Sequence, residues 1–119
     1  MRHRVKKHLH LSGKDSAHRK SVIRSLVSAI FEHKTIVTTE KRALAALPTI
    51  HRLIEVAKGP HTEYNKIRML STELFTEASS RGVLELAKNY TDIKGGYTRI
   101  TPIKYRDGDA ALLVKLELI

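Results

Sequence analysis

Positive charge is concentrated at the start of this chain, and this limits which residues can form a hydrophobic core. Residues 1–24 contain eight Lys and Arg and a single acid, Asp15, whereas the other 95 residues hold fourteen bases and eleven acids. Like charges this close repel one another and bury little apolar surface, so residues 1–15 are predicted to form a flexible basic arm. A core must come from residues 16–119, which we expect to form a single domain.

The composition restricts the classes of partner and of chemistry. A net charge of +10 favours a polyanion, with nucleic acid as the first candidate and an anionic membrane as the second. The arm has no aromatic residue to interleave with its bases, and this disfavours membrane binding. The absence of Cys excludes disulfides and thiolate metal sites. No apolar run is long enough for a signal peptide or a membrane span, so we expect a mature cytoplasmic protein.

Two long helices are predicted in the first half of the chain. Ser16 can cap the first, which runs to about His33 with an apolar stripe from Ile23 to Ile30. Thr39 can cap the second, from about Glu40 to Lys58. Pro48 lies inside this second helix, where it removes a backbone donor and crowds the preceding turn. We therefore expect a kink or a break near Leu47.

Two shorter helices follow. The third is predicted over roughly Thr62 to Phe75 and the fourth over about Glu77 to Asn89. Gly82 should weaken the fourth helix by about 1 kcal/mol relative to Ala. The expected buried residues of the third helix are Tyr64, Ile67, Leu70, Leu74 and Phe75, and those of the fourth are Val83, Leu84, Leu86 and Ala87.

Three segments have the composition of strands. The β-branched run Thr35 to Thr39 predicts a short strand, and a second is predicted over Tyr97 to Lys104. Pro102 in the second indicates an edge strand or a bulge. Residues 106–109 contain Asp-Gly, a strong hairpin turn, and Ala110 to Leu118 would close the sheet. The expected fold class is α+β, with about four helices packed on a small three-stranded sheet.

Four basic residues cluster in the first turns of the first helix: His18, Arg19, Lys20 and Arg24. Cations are unfavourable at this end of a helix dipole. An external phosphate would compensate for them and would also accept the free N–H groups of the helix end. The alternative is a basic turn that is merely solvated.

The predicted hairpin carries a second candidate set: Tyr97, Arg99, Lys104 and Arg106. Because side chains two residues apart share one face of a strand, Tyr97 and Arg99 are expected to point the same way. An exposed Tyr and Arg can stack on unpaired RNA bases. In the alternative interpretation, Tyr97 belongs to the core and Arg99 is an ordinary surface residue.

The sequence nominates no catalytic residue, metal site or cofactor. His8 and His10 have no carboxylate pair or Cys nearby, which makes a metal ligand set unconvincing. Asp107 and Asp109 flank a glycine in a context typical of a turn rather than of paired catalytic acids. No small-molecule substrate is indicated.

Four motifs resemble one protein family over nearly the whole chain. They are His18-Arg19-Lys20, Phe31-Glu32-His33-Lys34, Ile36-Val37-Thr38-Thr39 and Gly95-Gly96-Tyr97-Thr98-Arg99-Ile100. Together they are similar to the family of bacterial large-subunit ribosomal protein seventeen. The chain departs from that family in the arm, where Lys7-His8 and Gly13-Lys14 replace Gly-Arg pairs. Lys keeps the charge of Arg but loses its bidentate phosphate geometry.

The resemblance implies a non-enzymatic constituent of the large ribosomal subunit that binds large-subunit ribosomal RNA. Its other expected partners are neighbouring large-subunit proteins near the exit tunnel. A small architectural DNA-binding protein and an RNA-processing enzyme are the two alternatives. The residues expected to contact RNA are Arg2, His3, Arg4, Lys6, Lys7, Lys14, His18, Arg19, Lys20, Arg24, Tyr97, Arg99, Lys104 and Arg106.

Overall fold

A computed structural model describes residues 15–119, which fold into four helices and three strands. The helices are α1 (Ser16–His33), α2 (Glu40–Lys58), α3 (Glu63–Ser71) and α4 (Glu77–Asn89), and the strands are β1 (Thr35–Thr39), β2 (Thr98–Tyr105) and β3 (Leu112–Leu118). The sheet is antiparallel, in the order β1-β3-β2. The α+β fold class is confirmed, whereas residues 1–14 of the expected arm lie outside the described residues.

The core lies between one face of the sheet and the helices. Val114 and Leu116 in β3 are buried, while Lys115 and Glu117 alternate with them on the opposite face, as the strand pattern predicts. Helices α1 and α2 pack on this face of the sheet, α4 packs against α1 and α2, and α3 contributes Leu70 to the core. The remaining buried apolar residues include Val27, Ile30, Phe31, Ile50, Leu53, Ile54, Leu70, Leu74, Val83 and Leu86.

The N-terminal cap of α1 is Asp15, not the predicted Ser16. The Asp15 Oδ1 atom accepts a hydrogen bond from the His18 backbone N–H at 2.7 Å. A carboxylate both satisfies this donor and interacts favourably with the helix dipole, which a Ser hydroxyl does not match. Thr39 does precede α2, but its side chain makes no capping bond.

Helix α2 continues through Pro48, so of the predicted kink or break near Leu47 the break is wrong. Pro48 is exposed, whereas Ala45, Ala46 and Ile50 around it are buried in the core. A proline inside an isolated helix costs about 3 kcal/mol, partly through the missing backbone hydrogen bond. Here the burial of apolar side chains before and after Pro48 offsets that cost.

Helix α3 is shorter and more exposed than its sequence predicts. It ends at Ser71, four residues before the expected Phe75, and only Leu70 and Leu74 of the expected core residues are buried. Tyr64, Ile67 and Phe75 are 76%, 47% and 52% exposed. The apolar residues of α3 do have helical spacing, but residues of α1, α2 and α4 make up most of the core, so the apolar face of α3 is left largely outside it.

Helix α4 has its predicted bounds, and Gly82 allows it to approach α1 closely. A Cβ atom on Gly82 would lie 2.5 Å from the carbonyl oxygen of Phe31. Glycine is therefore required by packing at this position, although it lowers the intrinsic stability of the helix.

Strand β2 has both features that Pro102 predicts. It is an edge strand, and its register with β3 shifts between Pro102 and Lys104. It begins at Thr98 rather than Tyr97. Tyr97 therefore precedes the strand, and the alternation of side chains along β2 does not determine where the Tyr97 side chain points.

Candidate nucleic-acid interface

A groove of about 440 Å³ lies beside the first turns of α1. It runs between α1, the middle of α2 and the segment after α3. Its lining combines three bases and three hydroxyl groups with one acid and one apolar residue: Ser16, Arg19, Lys20, Ile23, Arg24, Thr49, Thr72 and Glu73.

The groove is electropositive because its one acid is already paired. The Glu73 carboxylate accepts a hydrogen bond from the Arg52 guanidinium at 2.7 Å. Arg19 and Lys20 are exposed, and neither forms an ion pair with any described residue. The charge of these two cations is thus available to a ligand. The Ser16 and Thr49 hydroxyls add neutral donors suited to phosphate oxygens, whereas the Thr72 hydroxyl already donates to the Met69 carbonyl at 2.7 Å.

Arg24 also borders the groove, but it mainly serves the fold. One of its terminal nitrogens donates to the backbone carbonyls of Ser71 at 3.3 Å and Leu74 at 3.1 Å. Its guanidinium carbon lies 4.4 Å from the centre of the Phe75 ring. These contacts join α1 to the segment after α3, so Arg24 is a structural cation, unlike Arg19 and Lys20.

The end of α1 is less open to an anion than its sequence indicates. The His18 backbone N–H already donates to the Asp15 carboxylate, and the charge of that carboxylate offsets part of the helix dipole. The His18 side chain remains exposed. A ligand in the groove would therefore be bound by side chains more than by backbone amides.

Tyr97 is buried, being only 2% exposed, and the structure agrees with its core interpretation. Its hydroxyl accepts from Lys58 Nζ at 2.8 Å and donates to the Glu55 carboxylate. The rings of His51 and Tyr90 pack against it at centroid distances of 5.7 and 5.2 Å. Tyr97 cannot stack on a base in this conformation, and the expectation that it shares an exposed face with Arg99 is wrong.

The sequence did not reveal the roles of Lys58 and Glu55 beside Tyr97. Lys58 also donates to the carbonyl of Ile93, which ties the end of α2 to the loop before β2. The two residues lie three positions apart on α2, a common surface spacing, so nothing in their pattern distinguishes them from solvated charges.

The other hairpin residues follow the sheet and do not line the groove. Arg99 is largely exposed, and its guanidinium lies 3.9 Å from the Glu117 carboxylate. Lys104 is exposed and forms no ion pair with a described residue. Both therefore present charge to solvent at the edge of the sheet.

Arg106 is held by Asp109 within the loop between β2 and β3. The guanidinium donates from Nε at 3.0 Å and from a terminal nitrogen to the Asp109 carboxylate. These hydrogen bonds, with another from the Ala111 backbone N–H, lower the pKa of Asp109 to about 2. Part of the charge of Arg106 is thus neutralised inside the loop. The backbone of the loop turns at Gly108 and Ala110, which have left-handed conformations with φ of 101° and 55°.

Two further observations concern the described part of the chain alone. None of its helices is both long and apolar enough to cross a membrane. It contains no group of three or more His, Asp or Glu placed to hold a metal ion. His8 and His10 lie outside the residues that the structure describes.

The fold and the groove define a small α+β protein with a basic surface suited to a polyanion. A family model described as ribosomal protein L17 matches residues 22–119. The chain belongs to this family, which confirms the resemblance seen in its motifs.

Individual relatives match over their full or nearly full lengths. The large ribosomal subunit protein bL17 of Neorickettsia sennetsu is 41% identical over 120 residues, covering all of both chains. The protein of the same name from Thermotoga maritima is 36% identical, covering all of this chain and 95% of the relative. That of Wolinella succinogenes is 39% identical, covering 90% and 91%.

Proposed function

We propose that this chain is a structural, non-enzymatic constituent of the large ribosomal subunit and binds large-subunit ribosomal RNA. The observation that carries the proposal is the groove beside α1, where Arg19 and Lys20 face solvent while its only acid is paired with Arg52. The names of the relatives refer to the same subunit.

Binding would be electrostatic and positional. Arg19, Lys20 and His18 contact phosphates from a rigid helix, and Arg99 and Lys104 contact them from the edge of the sheet. The arm adds further cations, and each phosphate that is neutralised releases counterions. The arm residues in this proposal are Arg2, His3, Arg4, Lys6, Lys7 and Lys14.

Three residues of the expected set take different roles in the proposal. Arg24 positions α1 through the Ser71 and Leu74 carbonyls, and Tyr97 belongs to the core. Arg106 contributes only part of its charge while Asp109 holds it.

The family resemblance supports two further points. The partners besides RNA would be neighbouring large-subunit proteins near the exit tunnel, and the site of action would be the cytoplasmic ribosome. A cleavage activity that uses Asp109 is disfavoured because its carboxylate is engaged by the Arg106 guanidinium.

The proposal is tested by competition at matched ionic strength. The full chain is bound to labelled large-subunit ribosomal RNA, and unlabelled random duplex DNA or the same RNA is added as competitor. We expect the RNA to compete far better than the DNA, because folded RNA presents phosphates in a fixed arrangement that a uniform duplex lacks.

A parallel experiment follows incorporation into large subunits by co-sedimentation at moderate salt. Equal competition by duplex DNA, together with no co-sedimentation, would favour the architectural DNA-binding alternative. Strand cleavage that is abolished in both Asp107→Ala and Asp109→Ala variants would instead establish an RNA-processing enzyme.

A further inference from the structure

The two edge strands of the sheet differ in how well they resist pairing with another strand. Strand β2 contains Pro102, a register shift and the charged Arg99 and Lys104. Prolines, bulges and charges all hinder the addition of a further strand. Strand β1, Thr-Ile-Val-Thr-Thr, has no proline and no charge, and it pairs with β3 in regular register over all five residues.

The outer side of β1 carries unpaired backbone groups. The Leu118 N–H donates to the Lys34 carbonyl at 3.0 Å. Antiparallel bonding alternates by two residues, so Ile36 and Thr38 bond to β3, while Thr35 and Val37 direct their N–H and C=O groups outward. Among the described residues no strand lies along this side. The Val37 side chain is 60% exposed.

We propose that β1 is a docking site for an extended segment of a neighbouring large-subunit protein, which adds a fourth strand to the sheet. This inference rests on the proposed function, because incorporation into the subunit brings that neighbour within reach. Backbone hydrogen bonds to Thr35 and Val37 hold the segment in place.

The charges around β1 indicate the chemistry of that segment. Lys34 precedes the strand, Lys41 and Arg42 follow it, and none of the three forms an ion pair with a described residue. Glu117, opposite Thr35, lies within 4 Å of both Arg99 and Lys115, and Glu40 is half-buried in the first turn of α2. The segment therefore carries acidic residues at its ends.

Two other occupants fit less well. The chain's own residues 1–14 contain five Lys and Arg and no acid, so they would be repelled by the cations at both ends of β1. A second copy would pair only five residues of each strand, far less than the roughly 1,200–2,000 Å² of a stable free interface. A neighbour on the same RNA needs less area, because tethering raises its effective concentration.

The first test measures amide hydrogen exchange of Thr35 and Val37 in three states of the full chain. These are the free protein, the protein on large-subunit RNA stripped of other proteins, and the protein in purified large subunits. We expect fast exchange in the first two states and at least about tenfold slower exchange in subunits, because only there is the outer edge paired.

The second test uses Val37→Pro, with Val37→Thr as its matched control. Proline removes the outward N–H but leaves the bonds of Ile36 and Thr38 to β3 intact, whereas Thr keeps the N–H. A zero-length carbodiimide reagent should cross-link Lys34 or Lys41 to an acidic residue of another protein in wild-type and Val37→Thr subunits. The yield should fall several-fold with Val37→Pro. If that variant fails to fold, Val37→Lys replaces it.

Each contrary outcome names a different occupant. Protection of Val37 in the dilute free chain would assign the edge to the chain's own arm, and protection that grows with protein concentration would assign it to a second copy. Protection on stripped RNA would assign it to RNA. Fast exchange in intact subunits would leave the edge open and overturn the inference. Failure to enter subunits at all would instead contradict the proposed function.

Discussion

The first turns of α1 and the loop between β2 and β3 are both basic, but they differ in how much of that charge remains available. Arg19 and Lys20 on α1 are exposed and unpaired among the described residues, and the nearby Glu73 is paired with Arg52. In the loop, Arg106 forms hydrogen bonds to Asp109 three residues away. One region presents its cations to a ligand, and the other partly neutralises its own.

The same contrast occurs within α1 itself. Arg19 faces solvent, whereas Arg24, little more than one turn later, bonds to two carbonyls and stacks on Phe75. A count of Lys and Arg therefore overestimates the charge that can reach a phosphate. The relevant quantity is the number of cations without a partner inside the fold.

The largest expected effect is on RNA affinity when the free pair on α1 is removed. Arg19→Gln with Lys20→Gln should weaken binding at least about tenfold, since each charge-assisted hydrogen bond contributes about 1.5–3 kcal/mol. The salt slope should fall by about one for each phosphate that the variant no longer neutralises. Filter binding over a series of KCl concentrations measures both quantities.

The control for this pair is Lys104→Gln with Arg106→Gln, which removes the same number of charges from the hairpin. A smaller reduction in affinity is expected, because Asp109 already neutralises part of Arg106. Equal reductions for the two double variants would show that internal pairing does not decide which cations are available.

Gly82→Ala tests how tightly α1, which carries the free cations, packs against α4. The added Cβ would lie 2.5 Å from the Phe31 carbonyl oxygen, so α1 and α4 must move apart. The free energy of unfolding should fall by about 1–3 kcal/mol despite the better helix propensity of Ala. Chemical denaturation measures it, with Glu85→Ala on the exposed face of α4 as control. An unchanged stability would mean that the two helices are not tightly packed at this point.

Arg24→Gln should affect mainly stability, whereas Arg19→Gln should affect mainly RNA binding. Removing the Arg24 guanidinium should lower the free energy of unfolding by about 1–3 kcal/mol while the salt slope of RNA binding stays nearly constant. Arg19→Gln should change stability by no more than about 0.5 kcal/mol but reduce the salt slope. Thermal denaturation and salt titration of both variants give the comparison. A reduced salt slope for Arg24→Gln would mean that Arg24 binds a phosphate after all.

Asp109→Asn should make the charge of Arg106 available to a ligand, as the charges of Arg19 and Lys20 on α1 already are. Asparagine can still accept from the Ala111 N–H, but it no longer neutralises Arg106. RNA affinity should rise by about two- to fivefold, in keeping with the small energy of an exposed ion pair. Asp107→Asn changes the net charge equally and does not pair with Arg106, so a similar gain there would attribute the effect to net charge alone.

The smallest effect is the titration of Asp109 itself. Its pKa of about 2 lies below the ordinary value of 3.8, so the stabilisation by Arg106 is present above 3.8 and is lost as the pH falls through about 2. An NMR titration of the carboxyl carbon should show this pKa, and Arg106→Gln should raise it towards 3.8. An unshifted wild-type value would mean that the loop is open in solution.

The elements of this fold were largely predictable because their patterns are local. The apolar stripe of α1, the β-branched run of β1 and the alternation in β3 each produce the expected element, and α4 has its predicted bounds. Pro102 likewise indicated an edge strand with a bulge, and it lies in both. Local periodicity determines which face of an element is apolar, and most such faces are buried here.

The sequence by itself also determined where the cations are, including Arg19 and Lys20 on one helical turn, and which family the chain belongs to. Only the tertiary structure decided the environment of each group. It buried Tyr97 against Lys58 and Glu55, left Tyr64 and Ile67 exposed, and paired Glu73 with Arg52, 21 residues away. The physical reason is that charge and apolarity belong to a residue, whereas burial and pairing depend on which distant segments pack beside it.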